Sequence, residues 1–127
     1  IRMIFDTDVM VWAFRGNGQA LQAIDEATER LISSVTYMEL LQGVRNKGEM
    51  REMKRFLSKL NFEVLPLSAN VSHRAISIME ETALKSDLGV CDALIFATAC
   101  EVGDTLLSGN RKHFKEVPLL NAVAFRP

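Results

Sequence analysis

Cysteine is scarce in this chain of 127 residues, with only Cys91 and Cys100 present. Nine positions apart on either side of an apolar stretch, they fit neither a CxxC motif nor a set of zinc ligands. They read instead as small buried apolar residues in a reducing compartment. Also missing is any run of about 20 apolar residues, which excludes a bilayer-spanning helix. No basic segment leads into an apolar one in the manner of a secretory signal. The expectation is a soluble, cytoplasmic protein with no membrane association. Neither sign of charge is in excess: 15 Lys and Arg stand against 16 Asp and Glu, for a net charge of −1. That balance argues against a nucleic-acid binder unless its positive surface is local. Internal repeats, linkers and low-complexity tracts are absent as well. With 48% hydrophobic and 24% charged residues, the composition is that of an ordinary globular protein, and one domain over residues 1–127 is expected.

What is present is a regular alternation of apolar patterns. RMIF at 2–5 reads as a short buried strand, and VMVWAF at 9–14 as the start of a helix broken by Gly16, Asn17 and Gly18. Ala20, Leu21, Ile24 and Ala27 recur at helical spacing between 19 and 29. LISSV at 31–35 is a strand, and Thr36 with Glu39 has the spacing of a capping box opening a helix that ends near Val44 or Arg45. From Glu49 to Leu60, Met50, Met53, Phe56, Leu57 and Leu60 make one stripe, with Arg51, Lys54, Arg55 and Lys59 opposite. FEVLPL at 62–67 is a strand, and Ser68 or Asn70 caps a long helix running to about Ser86. VCDALIFATACEVG at 90–103 is an almost wholly apolar helix, TLLS a strand, Asn110–Phe114 a turn of helical tendency and LNAVAF a last strand. This alternation predicts a three-layer α/β/α fold around a central, mostly parallel sheet. Ligands of such sheets bind beyond the carboxyl ends of the strands.

Asp6 and Asp8 lie just past the first strand and Ser108 to Asn110 just past a later one. Each acid also has a purely structural explanation. Asp6 could be an N-cap and Asp8 a first-turn acid favoured by the helix dipole. Glu39 could belong to its capping box. Asp92 stands among apolar neighbours, where a lone carboxylate is costly unless paired, hydrogen-bonded or bound to a cation, although capping the helix from Ala93 would also explain it. Asp87 reads as a solvated loop acid and His113 as a surface histidine beside two cations. Oxygen ligands meeting at strand ends, without a histidine or cysteine cluster, suit Mg2+ or Mn2+ rather than zinc. Such a cation is the natural partner of a phosphate.

The stretches IFDTDVMVW, SSVTYMELLQGV, CDALIFATA and TLLSGNRKHF, in order over residues 4–114, resemble the PIN-domain ribonucleases, in particular the VapC-type toxins of prokaryotic toxin–antitoxin pairs. The resemblance implies endonucleolytic, metal-dependent cleavage of RNA, with tRNA or other structured RNA as target. It implies Asp6, Glu39, Asp92 and Asn110 as the catalytic set, and Asp6, Asp92 and Glu39 as ligands of Mg2+ or Mn2+. Asn110 stands where many members carry a fourth Asp, and Asp8 where an Asn or Ser is more usual. The family further implies a cognate antitoxin partner and a homodimer. Arg111, Lys112 and His113 are candidate RNA contacts, with the basic face at 51–59 a second cationic surface. Two other readings compete. One is a haloacid-dehalogenase-type phosphatase with Asp6 as nucleophile, suggested by the D-x-D opening. The other is a non-catalytic PIN-fold binding module, suggested by Asn110 and the missing charge excess.

Overall fold

Successive residues of a strand face opposite sides of its sheet, and here both sides are apolar. In the computed structural model, which describes all 127 residues, the strands are β1 (Arg2–Phe5), β2 (Glu29–Ser33), β3 (Phe62–Leu65), β4 (Thr105–Ser108) and β5 (Ala122–Ala124). Ile4, Leu31 and Leu106 enter one buried cluster, while their neighbours Phe5, Ile32 and Leu107 enter another. A sheet apolar on both faces must be covered on both. Helices α1 (Thr7–Phe14), α2 (Gly18–Glu26) and α4 (Lys47–Lys59) cover the face of Phe5. The face of Ile4 is covered by α5 (Ala69–Thr82) and α6 (Val90–Val102). Helix α3 (Ser34–Gln42) gives Val35 to one cluster and Leu40 to the other, so it closes the end of the sheet rather than a face. The three layers are those expected, and the sheet is parallel throughout.

The strand order is β3-β2-β1-β4-β5. From β1 the chain steps outward to β2 and β3, then crosses through α5 and α6 to β4 on the other side of β1. The strand order therefore reverses between β1 and β4, and the crevice of such a sheet opens at that point. Asp6 leaves β1 there, and Gly109 and Asn110 leave β4 beside it.

Several boundaries differ from the sequence reading, each for a local reason. β2 stops at Ser33, the last residue paired with β3, and the Ser33 hydroxyl accepts from Val35 N at 3.0 Å as the cap of α3. Ser34 and Val35 are therefore helical, and Thr36 is a buried residue inside the helix rather than the first half of a capping box. Helix α2 ends at Glu26 because Glu29 pairs with Arg2 in the sheet. Helix α6 starts at Val90 behind Gly89, which offers no side-chain cap, so Asp92 is in its first turn and is not its N-cap. Its other end closes on Gly103 at φ 72°, the left-handed conformation that glycine reaches without a Cβ penalty. Cys91 is exposed and Cys100 half-buried, so the expectation of two buried cysteines fails. The stripe of α4 holds in its middle, where Met53 and Leu57 are buried, Phe56 and Leu60 half-buried and Arg51, Lys54, Arg55 and Lys59 outward, but Met50 at its start is exposed. No helix is long and apolar enough to cross a membrane.

Candidate active site

Asp6 is held from three directions. Its backbone N–H donates to Leu107 O at 3.0 Å, extending the β1–β4 pairing by one residue. Its carboxylate caps α1, accepting from Thr7 N at 2.7 Å, and its second oxygen accepts from Ser108 Oγ at 2.6 Å. The residue is only 4% exposed. Burial pushes this carboxyl up to about 7, the charges of Asp8 and Asp92 push it the same way, and the hydrogen bonds from Ser108 and Thr7 oppose them. The capping role is thus real, but it does not account for the acid. An asparagine would cap as well without the cost of a buried charge.

The other acids arrive from separate elements. Asp8, half-buried in the first turn of α1, accepts from Val9 N at 2.8 Å and from Gly109 N at 2.9 Å. A Cβ on Gly109 would lie 2.4 Å from the Asp8 carboxylate, so the absence of a side chain is what lets β4 approach it. Glu39, from α3, accepts from Thr7 Oγ1 at 2.6 Å, and that hydroxyl lies 3.0 Å from the buried Thr36 hydroxyl. Asp92, from α6, accepts from the Asn110 side-chain amide at 3.3 Å. The backbone N–H of Asn110 donates to Ser108 Oγ at 3.0 Å. Ser108 thus spends its proton on Asp6 and a lone pair on Asn110, tying the two ends of the site together. Burial raises the carboxyls of Asp8 and Asp92 above the usual range; for Asp92 the nearby His113 and the Asn110 amide partly oppose it.

These residues line one cleft of about 440 Å3 formed by Asp6, Thr7, Asp8, Glu39, Asp92, Gly109 and Asn110, with no hydrophobic residue among them. Oxygen donors with no balancing cation between them are the donor set a hard divalent ion takes. The expectation that Asp6, Glu39 and Asp92 close together round one ion is not met by the side chains as they stand. No three acidic, histidine or cysteine side chains are grouped to hold a metal. Each is engaged instead by its own neighbour: Glu39 by Thr7, Asp6 by Ser108, Asp92 by Asn110. The set fits an ion that takes one or two carboxylates and keeps several waters, as Mg2+ does.

A family model described as PIN domain matches residues 3–120. The chain belongs to the PIN-domain family. Solved structures agree in fold. VapBC2 from Rickettsia felis, bound to a DNA fragment from its promoter, has a chain that superposes with a TM-score of 0.84 at 23% identity, covering 99% of this chain and 100% of that one. A toxin–antitoxin complex from Klebsiella pneumoniae gives 0.76 at 27% identity, with 96% of each chain covered. DNA-bound VapBC from Salmonella typhimurium gives 0.82 at 20% identity, with 98% of each covered. No curated protein sequence matches. PIN domains are nucleases as a family.

In this PIN domain all four residues expected to be catalytic, Asp6, Glu39, Asp92 and Asn110, border the same cleft. Thr7 belongs beside them and escaped the sequence reading, which places Asp8, Ser108 and Gly109 at this rim without a role. The D-x-D spacing was a signal for Asp8, whereas nothing short of the fold pairs Ser108 with Asp6 at a separation of 102 residues. His113 corrects the expectation of a surface histidine. It is 4% exposed in the 3-10 helix Arg111–Glu116, with Nε2 3.2 Å from Asp87 and Nδ1 hydrogen-bonded to Glu116. Both ring nitrogens are engaged, so His113 is not available to contact RNA. Asp87 is exposed but is not merely solvated, since Lys112 Nζ lies 3.0 Å from it and holds its carboxyl below the usual range. Arg111 and Lys112 remain on the surface beside the cleft.

Proposed function

We propose that residues 1–127 form a single metal-dependent endoribonuclease unit, the VapC-type toxin of a toxin–antitoxin pair, acting on RNA in the cytoplasm, with a cognate antitoxin as its partner and a homodimer as its assembly. One observation carries the nuclease reading: four carboxylates from three separate stretches of chain meet in a single cleft with no cation between them, at the switch point of a parallel sheet. The toxin assignment is supported by the VapBC and toxin–antitoxin complexes among the structural relatives.

Asp6 and Asp92 would hold Mg2+ or Mn2+, with Asp8 near enough in charge to strengthen the attraction. When bound, such an ion neutralises phosphodiester charge and makes a water nucleophilic. The chain's own residues do the rest. Ser108 and Thr7 N hold Asp6 in one orientation. Glu39, fixed by the Thr7 hydroxyl, orients the attacking water and takes its proton. The Asn110 amide sets the direction of Asp92, and Arg111 and Lys112 meet the RNA backbone as it leaves the cleft. A phosphatase using Asp6 as nucleophile is disfavoured, because both Asp6 oxygens are engaged, the side chain is buried and no lysine lines the cleft.

The test is cleavage of a mixed tRNA pool by the purified protein in Mn2+, in EDTA, and after Asp6→Asn or Asp92→Asn. Metal-dependent cutting that drops at least about 100-fold in either variant is expected. Cutting that persists in EDTA, or in Asp6→Asn at the parent rate, overturns the assignment. A correctly folded protein that neither cuts RNA nor gains thermal stability from Mn2+ would be the non-catalytic binding module.

A further inference from the structure

A second cavity adjoins the acidic cleft and plays no part in the chemistry described so far. It measures about 580 Å3 and lies between the end of α1, the end of α3 and the start of α4. Val11, Phe14, Leu40, Val44 and Met53 give it an apolar floor. Arg15 and Arg45 stand at its edge. Phe14 is held in place by an edge-on contact with Phe56, ring centroids 5.6 Å apart. Glu39 borders both spaces, so it is the partition between them.

The geometry points to this cavity as the seat of an unpaired nucleobase, that of a nucleotide flanking the phosphate in the acidic cleft. The inference rests on the reading that RNA crosses that cleft. A polynucleotide can leave the cleft on two sides: past Asn110, toward Arg111 and Lys112, or past Glu39, into this cavity. On the Glu39 side this cavity offers the next nucleotide an apolar surface with two guanidinium groups, of which Arg45 is paired with the Glu49 that also lines it and Arg15 is not. The size is within the range of small-ligand pockets. An aromatic ring with guanidinium groups nearby is the kind of surface on which splayed-out bases stack. Arg15 makes no ion pair and is free to meet a phosphate. Arg45 pairs only with Glu49 in an exposed i,i+4 contact that solvent weakens. A base inside a duplex is stacked and paired on both sides and cannot enter, so the cavity selects single-stranded or looped RNA over helical RNA.

The experiment separates this inference from the nuclease assignment by measuring binding without metal. Asp6→Asn protein in EDTA is irradiated with an unstructured RNA 10-mer carrying 4-thiouridine at each position in turn, and the crosslinked residue is mapped. Crosslinks within Val11–Arg15 or Leu40–Arg45 are expected, together with a Kd raised about fivefold or more by Phe14→Ala and by Arg15→Glu. Arg15 is exposed, so the second variant tests the site even if the first is unstable. Ile76→Ser, on the exposed surface of α5, is expected to leave binding unchanged. A duplex of the same sequence should bind more weakly than the single strand. Crosslinks confined to the Arg111 side, or full affinity in Arg15→Glu, overturn the proposal while leaving Mn2+-dependent cleavage by the parent intact. Variants that bind RNA normally but lose a protein partner would assign the cavity to that partner and overturn it as well. RNA seated in the cavity of a protein that cuts nothing would leave this inference standing and remove the nuclease one.

Discussion

Two groups of acidic side chains stand at the same rim of this sheet, and their environments push them in opposite directions. In the cleft, Asp6, Asp8 and Asp92 are each driven above the usual carboxylate range by burial, with neighbouring carboxylates adding to it. In the adjoining clasp, Asp87 and Glu116 are held below it, by Lys112 in the first case and by Ser86 and His113 in the second. The residue types are alike, and the difference is whether the protein supplies the compensating charge itself. The clasp is complete: His113 ties the 3-10 helix after Asn110 to the loop before α6, and Ser86 adds a bond of 3.0 Å to Glu116. The cleft is left uncompensated, at a cost in stability, and such unrelieved strain marks sites that act on something from outside.

The largest effect should come from removing the buried charge itself. A carboxyl raised in the folded state binds more protons than the unfolded chain between about 4 and about 7. Stability due to Asp6 is therefore full below its ordinary value of 3.8 and falls as pH rises through about 7. The loss amounts to about 4 kcal/mol at most, since each pKa unit is worth about 1.4 kcal/mol. Metal-free protein should therefore melt at a lower temperature at pH 7.5 than at pH 5. Asp6→Asn should abolish most of that difference, and Mn2+ should do so in the parent. The clasp has the opposite sign: Asp87 and Glu116 stabilise above their ordinary values and lose that contribution as pH falls through their lowered ones. Melting curves from pH 3 to 8 should thus show a maximum in the parent and a much smaller fall toward neutral pH in Asp6→Asn, where Asp8 and Asp92 keep the same sign. A parent curve that rises steadily to pH 8 would break the comparison.

Cutting the clasp comes next. His113→Phe leaves Glu116 and Asp87 without their buried partner and should lower the urea midpoint at pH 7. Because the clasp anchors the segment that carries Asn110, cleavage should fall too, with kcat more affected than KM. A variant as stable and active as the parent would show the clasp to be incidental.

The smallest change probes the seam between the strand ends. Gly109→Ala places a methyl group where the Asp8 carboxylate sits, so Asp8 must swing away from the Gly109 N–H. The fold should lose about 1 kcal/mol, the worth of one such hydrogen bond. Mn2+ affinity, read by calorimetry, should fall in step if Asp8 adds to the field of the cleft.

Much of this architecture can be read from the chain itself. Alternating strands and helices, with Ile4–Phe5, Leu31–Ile32 and Leu106–Leu107 apolar in both positions, leave little room for anything but a covered parallel sheet. Asp92 announces itself as an acid in an apolar helix. Less legible were features that depend on which of two local partners wins. Thr36 and Glu39 have capping-box spacing, yet Ser33 reaches the helix end first and Glu39 turns to Thr7. His113 follows Arg111 and Lys112 in sequence and looks solvated, but two of the groups that engage its ring, Ser86 and Asp87, come from a loop 27 and 26 positions earlier. Periodicity reports which face of an element is inside; it does not report what an inside polar group will find there.

The bond between Ser108 and Asp6 spans 102 positions of the chain, and β4 can pair with β1 only after everything between them has been made. A chain still emerging from the ribosome therefore carries Asp6, Asp8, Glu39 and Asp92 before the residues that fix Asp6, Asp8 and Asp92 exist. The cleft is completed only when β4 docks, and a product that stops short of β4 has no Ser108 to fix Asp6 and no Asn110 to orient Asp92.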